Sequence, residues 1–80
     1  MREPIVVPEL GFTPMVLSVW YVKPGEEVRE GDRVVELLLG AATFDVTATA
    51  CGTLIERGAG PRDRVTAGQI VGFLETSDER

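Results

Sequence analysis

The sequence of 80 residues contains no histidine and a single cysteine. Without histidine, the chain lacks the usual general base at neutral pH and the commonest protein ligand for metal ions. Cys51 cannot form an internal disulfide, and without histidine it cannot form a Cys–His nucleophile pair or a zinc site of thiolates and imidazoles. We therefore expect no enzyme activity, no catalytic residue and no metal site.

The chain also lacks a cluster of basic residues, because its eight Lys and Arg residues are scattered and the net charge is −5 at pH 7. Nucleic acids select clustered Lys and Arg, so we expect no nucleic-acid partner. The uncharged stretch from Leu37 to Phe44 is far shorter than the roughly 20 apolar residues that a helix needs to cross a bilayer. With no recognisable signal peptide and no disulfide pair, these features favour a cytoplasmic protein with no membrane partner.

Glycine and proline recur every few residues, and between them lie short runs rich in Val, Ile, Leu, Phe and Thr. This pattern is typical of short strands joined by turns, and no apolar repeat of helical period extends beyond about two turns. The sequence therefore predicts one all-β domain that spans residues 1–80, with a core at about 5–75 and a tail at 76–80. The predicted strands are Ile5–Val7, Met15–Val22, Val34–Leu39, Thr43–Thr47, Thr53–Glu56 and Ile70–Glu75.

A weak internal repeat relates the two halves of the chain. The repeated residues are Val28, Gly31, Val34 and Leu37 in the first half and Val65, Gly68, Val71 and Leu74 in the second. The shared pattern is V-x-x-G followed by an apolar strand. It predicts two similar sheets packed face to face around one core and related by a pseudo-two-fold axis.

Four segments cover most of the chain: VPELG at Val7–Gly11, VWYVKPGEEVREGDRVVEL at Val19–Leu37, ATFDVTATACGTL at Ala42–Leu54 and DRVTAGQIVGFLE at Asp63–Glu75. Together they resemble the biotinyl/lipoyl attachment domain, and most closely the lipoyl domain of 2-oxoacid dehydrogenase acyltransferases. The resemblance implies a barrel-sandwich hybrid, which is a flattened barrel of two antiparallel sheets. It also implies a hairpin whose tip carries the attachment lysine.

The hairpin tip of this chain departs from the family's attachment site. The family's E-T-D-K-A corresponds, without a gap, to residues 38–42, which are Leu38, Leu39, Gly40, Ala41 and Ala42. Ala41 therefore stands at the lysine position, and the acidic positions beside it are also lost. The single lysine, Lys23, corresponds to an ordinary lysine of the family. Because lipoic acid and biotin are bound through an amide to a lysine amine, we expect no cofactor on this chain.

We interpret the chain as a non-lipoylated lipoyl-like domain that binds other proteins. Strand alternation directs Val35, Leu37, Phe44 and Val46 inward and leaves Leu38 facing outward. The loop before Trp20 is shorter than in the lipoyl-domain family, and the resemblance places its apolar residues near the tip. The predicted partner-binding residues are Phe12, Met15, Leu38 and Leu39. Candidate partners are lipoylated carriers, a dehydrogenase complex or a second copy of the chain.

Three alternatives stay open. In the first, the leucines extend the core and the domain is a structural piece of a larger assembly. In the second, Cys51 serves as a handle for different carrier chemistry, although a buried or half-buried cysteine is the usual case. The third is the barrel-sandwich module of membrane-fusion adaptor proteins, which a long helical hairpin interrupts and which this uninterrupted chain resembles less. A biotin carrier is disfavoured because the A-M-K-M signature is absent.

Overall fold

The computed structural model describes residues 1–11 and 13–76 of the chain. The strands are β1 (Arg2–Val6), β2 (Met15–Trp20), β3 (Glu27–Val28), β4 (Arg33–Leu39), β5 (Ala42–Thr47), β6 (Gly52–Arg57), β7 (Arg64–Val65) and β8 (Ile70–Glu75). The all-β prediction is confirmed, and each predicted strand overlaps an observed one. The sequence analysis missed β3 and β7, because a strand of two residues is too short to show an alternating pattern.

In the described part of the chain, no helix has the length and apolar character needed to cross a bilayer. The predicted tail at 76–80 lies outside the described residues except for Thr76. The amide of Thr76 donates a hydrogen bond of 2.7 Å to the carbonyl oxygen of Met1. This bond continues the β1–β8 pairing beyond Glu75.

The strands form two four-stranded sheets, with the orders β1-β8-β6-β3 and β5-β4-β2-β7. All pairings are antiparallel. Replacing each strand of one sheet by the strand four places along the chain gives the order of the other sheet. This relation is the pseudo-two-fold symmetry that the internal repeat predicted. Within the described residues no strand of one sheet pairs with a strand of the other, so the sandwich is not a closed barrel.

The V-x-x-G repeat marks two of the places where the chain crosses between sheets. Gly31 lies between β3 and β4, which belong to different sheets, and Gly68 lies between β7 and β8, which do so as well. Both glycines have positive φ, 93° and 86°, which side chains disfavour. The amide of Gly31 donates to the carbonyl of Ala48 at 2.9 Å, and that of Gly68 donates to the carbonyl of Val7 at 2.8 Å. The repeat is therefore a pair of equivalent crossings.

The core lies between the inner faces of the two sheets. The valine and leucine positions of the repeat all belong to it and are at most 4% exposed. The other buried hydrophobic residues are Ile5, Val7, Met15, Leu17, Val35, Leu39, Val46, Ala48 and Leu54. No buried polar or charged residue interrupts this core among the described residues. Apolar burial between the sheets is therefore the main source of stability.

Two loops close one flank of the sandwich, beside β3 and β7. These loops, residues 21–26 and 58–63, define the closed flank. Each loop hydrogen-bonds to the sheet that it enters: the amide of Gly25 donates to Leu54 of β6, and the amide of Arg62 donates to Leu17 of β2, both at 2.7 Å. Trp20 packs beneath them against the core. Its indole N–H donates to the carbonyl of Ala59 at 2.8 Å, which satisfies the polar atom of this half-buried side chain.

Candidate functional site

The β4–β5 hairpin ends in a two-residue turn, Gly40-Ala41, between the paired residues Leu39 and Ala42. Gly40 has a φ of 71°, and Ala41 is not among the described residues with positive φ. Positive φ at only the first central position, occupied by glycine, is the pattern of a type II′ turn, whose twist matches that of the flanking strands. Gly40 and Ala41 are exposed, so the end of this hairpin presents a methyl group to solvent.

The two leucines before the turn have different environments. Leu38 is 37% exposed, whereas Leu39 is 8% exposed and belongs to the core. Successive side chains of a strand point to opposite faces, so two adjacent leucines cannot share one exposed surface. The prediction that Leu38 faces outward is confirmed. The prediction that Leu39 contributes to an exposed partner-binding tip is wrong.

Met15 is also buried, with 1% of its surface exposed, and it pairs with Val65 of β7 on the inner face. Its predicted place on a partner-binding surface is therefore wrong. Phe12 lies outside the described residues. On the outer face, Leu38 pairs with Val16 of β2 and Thr43 of β5. Val16 is half-buried and Thr43 is polar, so Leu38 has one apolar cross-strand neighbour on this face.

Phe44 departs from the prediction in a different way. It pairs with Leu37, and cross-strand partners share a face, so Phe44 has the predicted inward orientation. Leu37 is 0% exposed, however, whereas Phe44 is 38% exposed. The reason is that β5 is an edge strand, and no strand lies beyond Phe44 to cover it. The burial predicted for Phe44 is wrong, and the burial predicted for Val35, Leu37 and Val46 is confirmed.

The exposed face of Phe44 lines a groove of about 370 Å³ between the edge strands β1 and β5, which we name the open-flank groove. Its lining residues are Glu3, Pro4, Ile5, Val6, Pro8, Phe44, Asp45, Val46, Thr47 and Thr49. Val6 of β1, which also lines the groove, is 41% exposed. The sequence analysis missed this groove, because the alternation of apolar residues along β5 does not reveal that β5 is an edge strand.

A solved structure shares this architecture: the lipoyl domain of the 2-oxoglutarate dehydrogenase complex from Azotobacter vinelandii. The two superpose with a TM-score of 0.72 over 90% of this chain and 96% of that chain, at 25% sequence identity. The chain has the lipoyl-domain fold. No protein-family model and no curated protein sequence matches it. The fold implied by the sequence resemblance is thus confirmed by a structure.

The charged residues of this lipoyl-like domain include two carboxylates at the open-flank groove. A hydroxyl donates to each: that of Tyr21 to Asp45 and that of Thr49 to Glu3, both at 3.2 Å. Arg33 approaches the second carboxylate oxygen of Asp45 at 3.6 Å. Partial burial raises the pKa of Tyr21, and its hydrogen bond with Asp45 raises that pKa further. Asp45 of β5 thus accepts a hydrogen bond from a phenol that holds its proton more tightly than usual.

Cys51 is exposed, so the expectation that it is buried or half-buried is wrong. It lines a shallow depression together with three carboxylates, those of Glu27, Asp32 and Glu75, and with Arg29. Reactive cysteines usually lie in electropositive surroundings, which this depression does not provide. Across residues 1–11 and 13–76, no group of three metal-ligating side chains forms a candidate metal site.

Cys51 and the hairpin turn lie at opposite ends of the lipoyl-like domain. Asp32, which lines the depression beside Cys51, directly precedes β4, whereas the turn directly follows it. A strand of seven residues at about 3.3 Å per residue separates the two ends by roughly 20 Å. The thiol therefore cannot take the place of a group at the tip.

Proposed function

We propose that this lipoyl-like domain carries no lipoyl or biotinyl group and acts as a non-catalytic protein-binding module of a 2-oxoacid dehydrogenase-type or related carrier system. The observation that carries the proposal is Ala41, exposed in the turn of the β4–β5 hairpin, where the resemblance puts the attachment lysine. A methyl group offers no amine for an amide bond. The likeness to a domain of a 2-oxoglutarate dehydrogenase complex supports the link to such systems. The cytoplasmic location stays a prediction from the sequence.

The surroundings of Lys23 support the same proposal. This residue, the single lysine of the sequence, lies in a loop of the closed flank rather than at a hairpin tip. Its amide N–H donates to a carboxylate oxygen of Glu26 at 2.8 Å, and the amide of Glu26 donates to its carbonyl at 3.0 Å. An attachment enzyme that recognises an extended hairpin would not find its lysine in such a tight loop.

Intact-mass measurement tests the proposal. The chain is expressed with an active lipoate ligase and lipoic acid, and we expect the unmodified mass. The variant Ala41→Lys should gain little lipoyl mass, because the flanking acidic positions are occupied by Leu38 and Gly40. The triple variant Leu38→Glu, Gly40→Asp, Ala41→Lys should gain more, and the Azotobacter vinelandii lipoyl domain serves as the positive control. A lipoyl mass on the unaltered chain would refute the proposal.

A further inference from the structure

We propose that the open-flank groove binds an extended segment of a partner protein in which apolar residues alternate with Lys or Arg. The proposal rests on the proposed function as a protein-binding module and names its binding site. The groove has apolar walls from both edge strands: Phe44 and Val46 on β5, and Pro4, Ile5 and Val6 on β1. Phe44 and Val6 each keep about two fifths of their surface exposed, at 38% and 41%.

The backbone of β5 is available for pairing along this groove. In a two-residue hairpin the pair that flanks the turn, Leu39 and Ala42, is hydrogen-bonded, and such pairs alternate with non-hydrogen-bonded ones. Thr43 and Asp45 therefore occupy non-hydrogen-bonded positions opposite β4. Their N–H and C=O groups point away from β4, toward the open edge. An extended segment that runs along β5 can satisfy these groups by strand addition.

The other edge strand, β1, is less suited to strand addition. Pro4 stands in its middle and has no N–H to donate. Within sheets, proline is confined to positions where its missing N–H would face away from the ladder, which makes the edge of β1 a poor template. β5 contains no proline. The bound segment therefore pairs with β5, and β1 contributes a side-chain wall.

Charge and alternation together specify the chemistry of the segment. The residues that line the groove include Glu3 and Asp45 and, among the described residues, no Lys or Arg. A segment paired with β5 repeats its alternation: residues beside Phe44 and Val46 point into the groove, and residues beside Asp45 point to the outer face. Apolar residues fit the first set. Lys or Arg fits the second, where the Asp45 carboxylate accepts a hydrogen bond from Tyr21 at 3.2 Å and an exposed Arg33 approaches its other oxygen at 3.6 Å.

The test uses the whole chain and a capped, fluorescein-labelled heptapeptide that alternates Lys and Ile and has Lys at both ends. A matched peptide carries Glu in place of Lys. Fluorescence anisotropy should show at least about tenfold tighter binding of the Lys peptide at low salt, and the difference should shrink as salt is added. Amide resonances of Thr43 and Asp45 should shift on binding.

Two pairs of variants locate the segment. Thr43→Pro removes a backbone donor at the open edge and should weaken binding about fivefold, whereas Thr43→Val keeps the N–H and should bind normally. Phe44→Ala should weaken binding by about tenfold, whereas Leu38→Ala, on the outer face, should not. Melting curves of the four variants confirm that each one is folded, so that a loss of affinity reports on the groove.

Three outcomes would overturn the inference. They are the absence of binding at millimolar Lys peptide, amide shifts centred on Leu38 rather than on β5, and a dimer that light scattering detects and Phe44→Ala dissociates. The last outcome would make a second copy the occupant of the groove. The mass measurement decides the absence of a lipoyl group independently. A lipoylated chain that still binds the peptide would refute the proposed function and leave the groove assignment intact.

Discussion

Each flank of this sandwich is formed by two edge strands, one from each sheet, and the two flanks differ in how they are covered. Beside β3 and β7, the chain crosses between the sheets through two loops that bury Trp20 and satisfy its indole N–H. Beside β1 and β5, the chain leaves a groove in which Phe44 and Val6 stay exposed. Both flanks present a large aromatic side chain, and only that of Trp20 is covered by loops.

The closed flank therefore contributes mainly to stability, whereas the open flank offers a surface for binding. The half-buried ring of Trp20 gains from apolar burial and from its hydrogen bond, and Arg57 adds a cation–π contact at 5.6 Å from the ring centroid. A partly exposed ring such as Phe44 keeps apolar surface that a partner can cover. We therefore expect substitutions on the closed flank to affect folding and substitutions on the open flank to affect association.

The largest expected effect comes from comparing Trp20→Ala with Phe44→Ala. Trp20→Ala should lower the free energy of unfolding by about 3–4 kcal/mol, because it removes a large packed side chain and leaves the loops unsupported. Phe44→Ala should cost only about 1–2 kcal/mol, because part of this ring is already in water. Urea denaturation of both variants, each followed by circular dichroism, gives the two values. Equal losses would show that the open flank contributes as much to stability as the closed flank.

A smaller effect separates the two loops of the closed flank. Gly25 and Arg62 make equivalent hydrogen bonds, and their φ angles are 96° and 76°. Gly25→Ala should destabilise the fold by about 1–2 kcal/mol through its backbone conformation alone, since nothing lies within 4 Å of the added methyl group. Arg62→Gly relieves the same conformational cost and should change stability by less than about 1 kcal/mol.

Thermal melting of these two loop variants provides the measurement, with Gly60→Ala as a control at a loop glycine that is not among the residues with positive φ. A Gly25→Ala variant as stable as the unaltered chain would show that the loop adjusts its conformation. In that case the positive φ of Arg62 would carry no cost either, and the two loops would be equivalent in energy as well as in hydrogen bonding.

The smallest expected effect concerns the pKa of Tyr21, whose hydroxyl donates a hydrogen bond to Asp45 of β5. Burial and the hydrogen bond with Asp45 raise this pKa above its usual value of about 10. Because the folded-state pKa is the higher one, the stabilisation from the phenol is complete below about pH 10 and is lost as pH rises through the folded-state pKa. Tyr21 is the single tyrosine, so its tyrosinate absorbance can be titrated without overlap.

Asp45→Asn should lower the titration midpoint of Tyr21 toward that of the chain unfolded in urea, because it removes the carboxylate charge and leaves only a neutral, weaker acceptor for the phenol. Glu3→Gln, across the groove, serves as the matched control and should leave the midpoint unchanged. If Asp45→Asn also left the midpoint unchanged, the contact of 3.2 Å between Tyr21 and Asp45 would not persist in solution.

Much of the fold could be predicted from local patterns. The punctuation by glycine and proline located six strands, and the V-x-x-G repeat predicted two similar sheets related by a pseudo-two-fold axis. Less of the candidate site could be predicted. Of the three described residues that were expected at the partner surface, Leu38 is exposed, whereas Met15 and Leu39 are buried. Apolar character alone does not say whether a residue near a turn faces the core.

The sequence by itself determined which side chains share a face of each strand, where the glycine-dependent crossings fall, and that the hairpin turn contains Ala41 rather than a lysine. These properties depend on neighbours along the chain and on a period of two residues. Only the tertiary structure decided that β1 and β5 are edge strands. Leu37 and Phe44 share one inner face, and the first is buried while the second lines a groove, because burial depends on what lies beyond a strand as well as on the direction of its side chains.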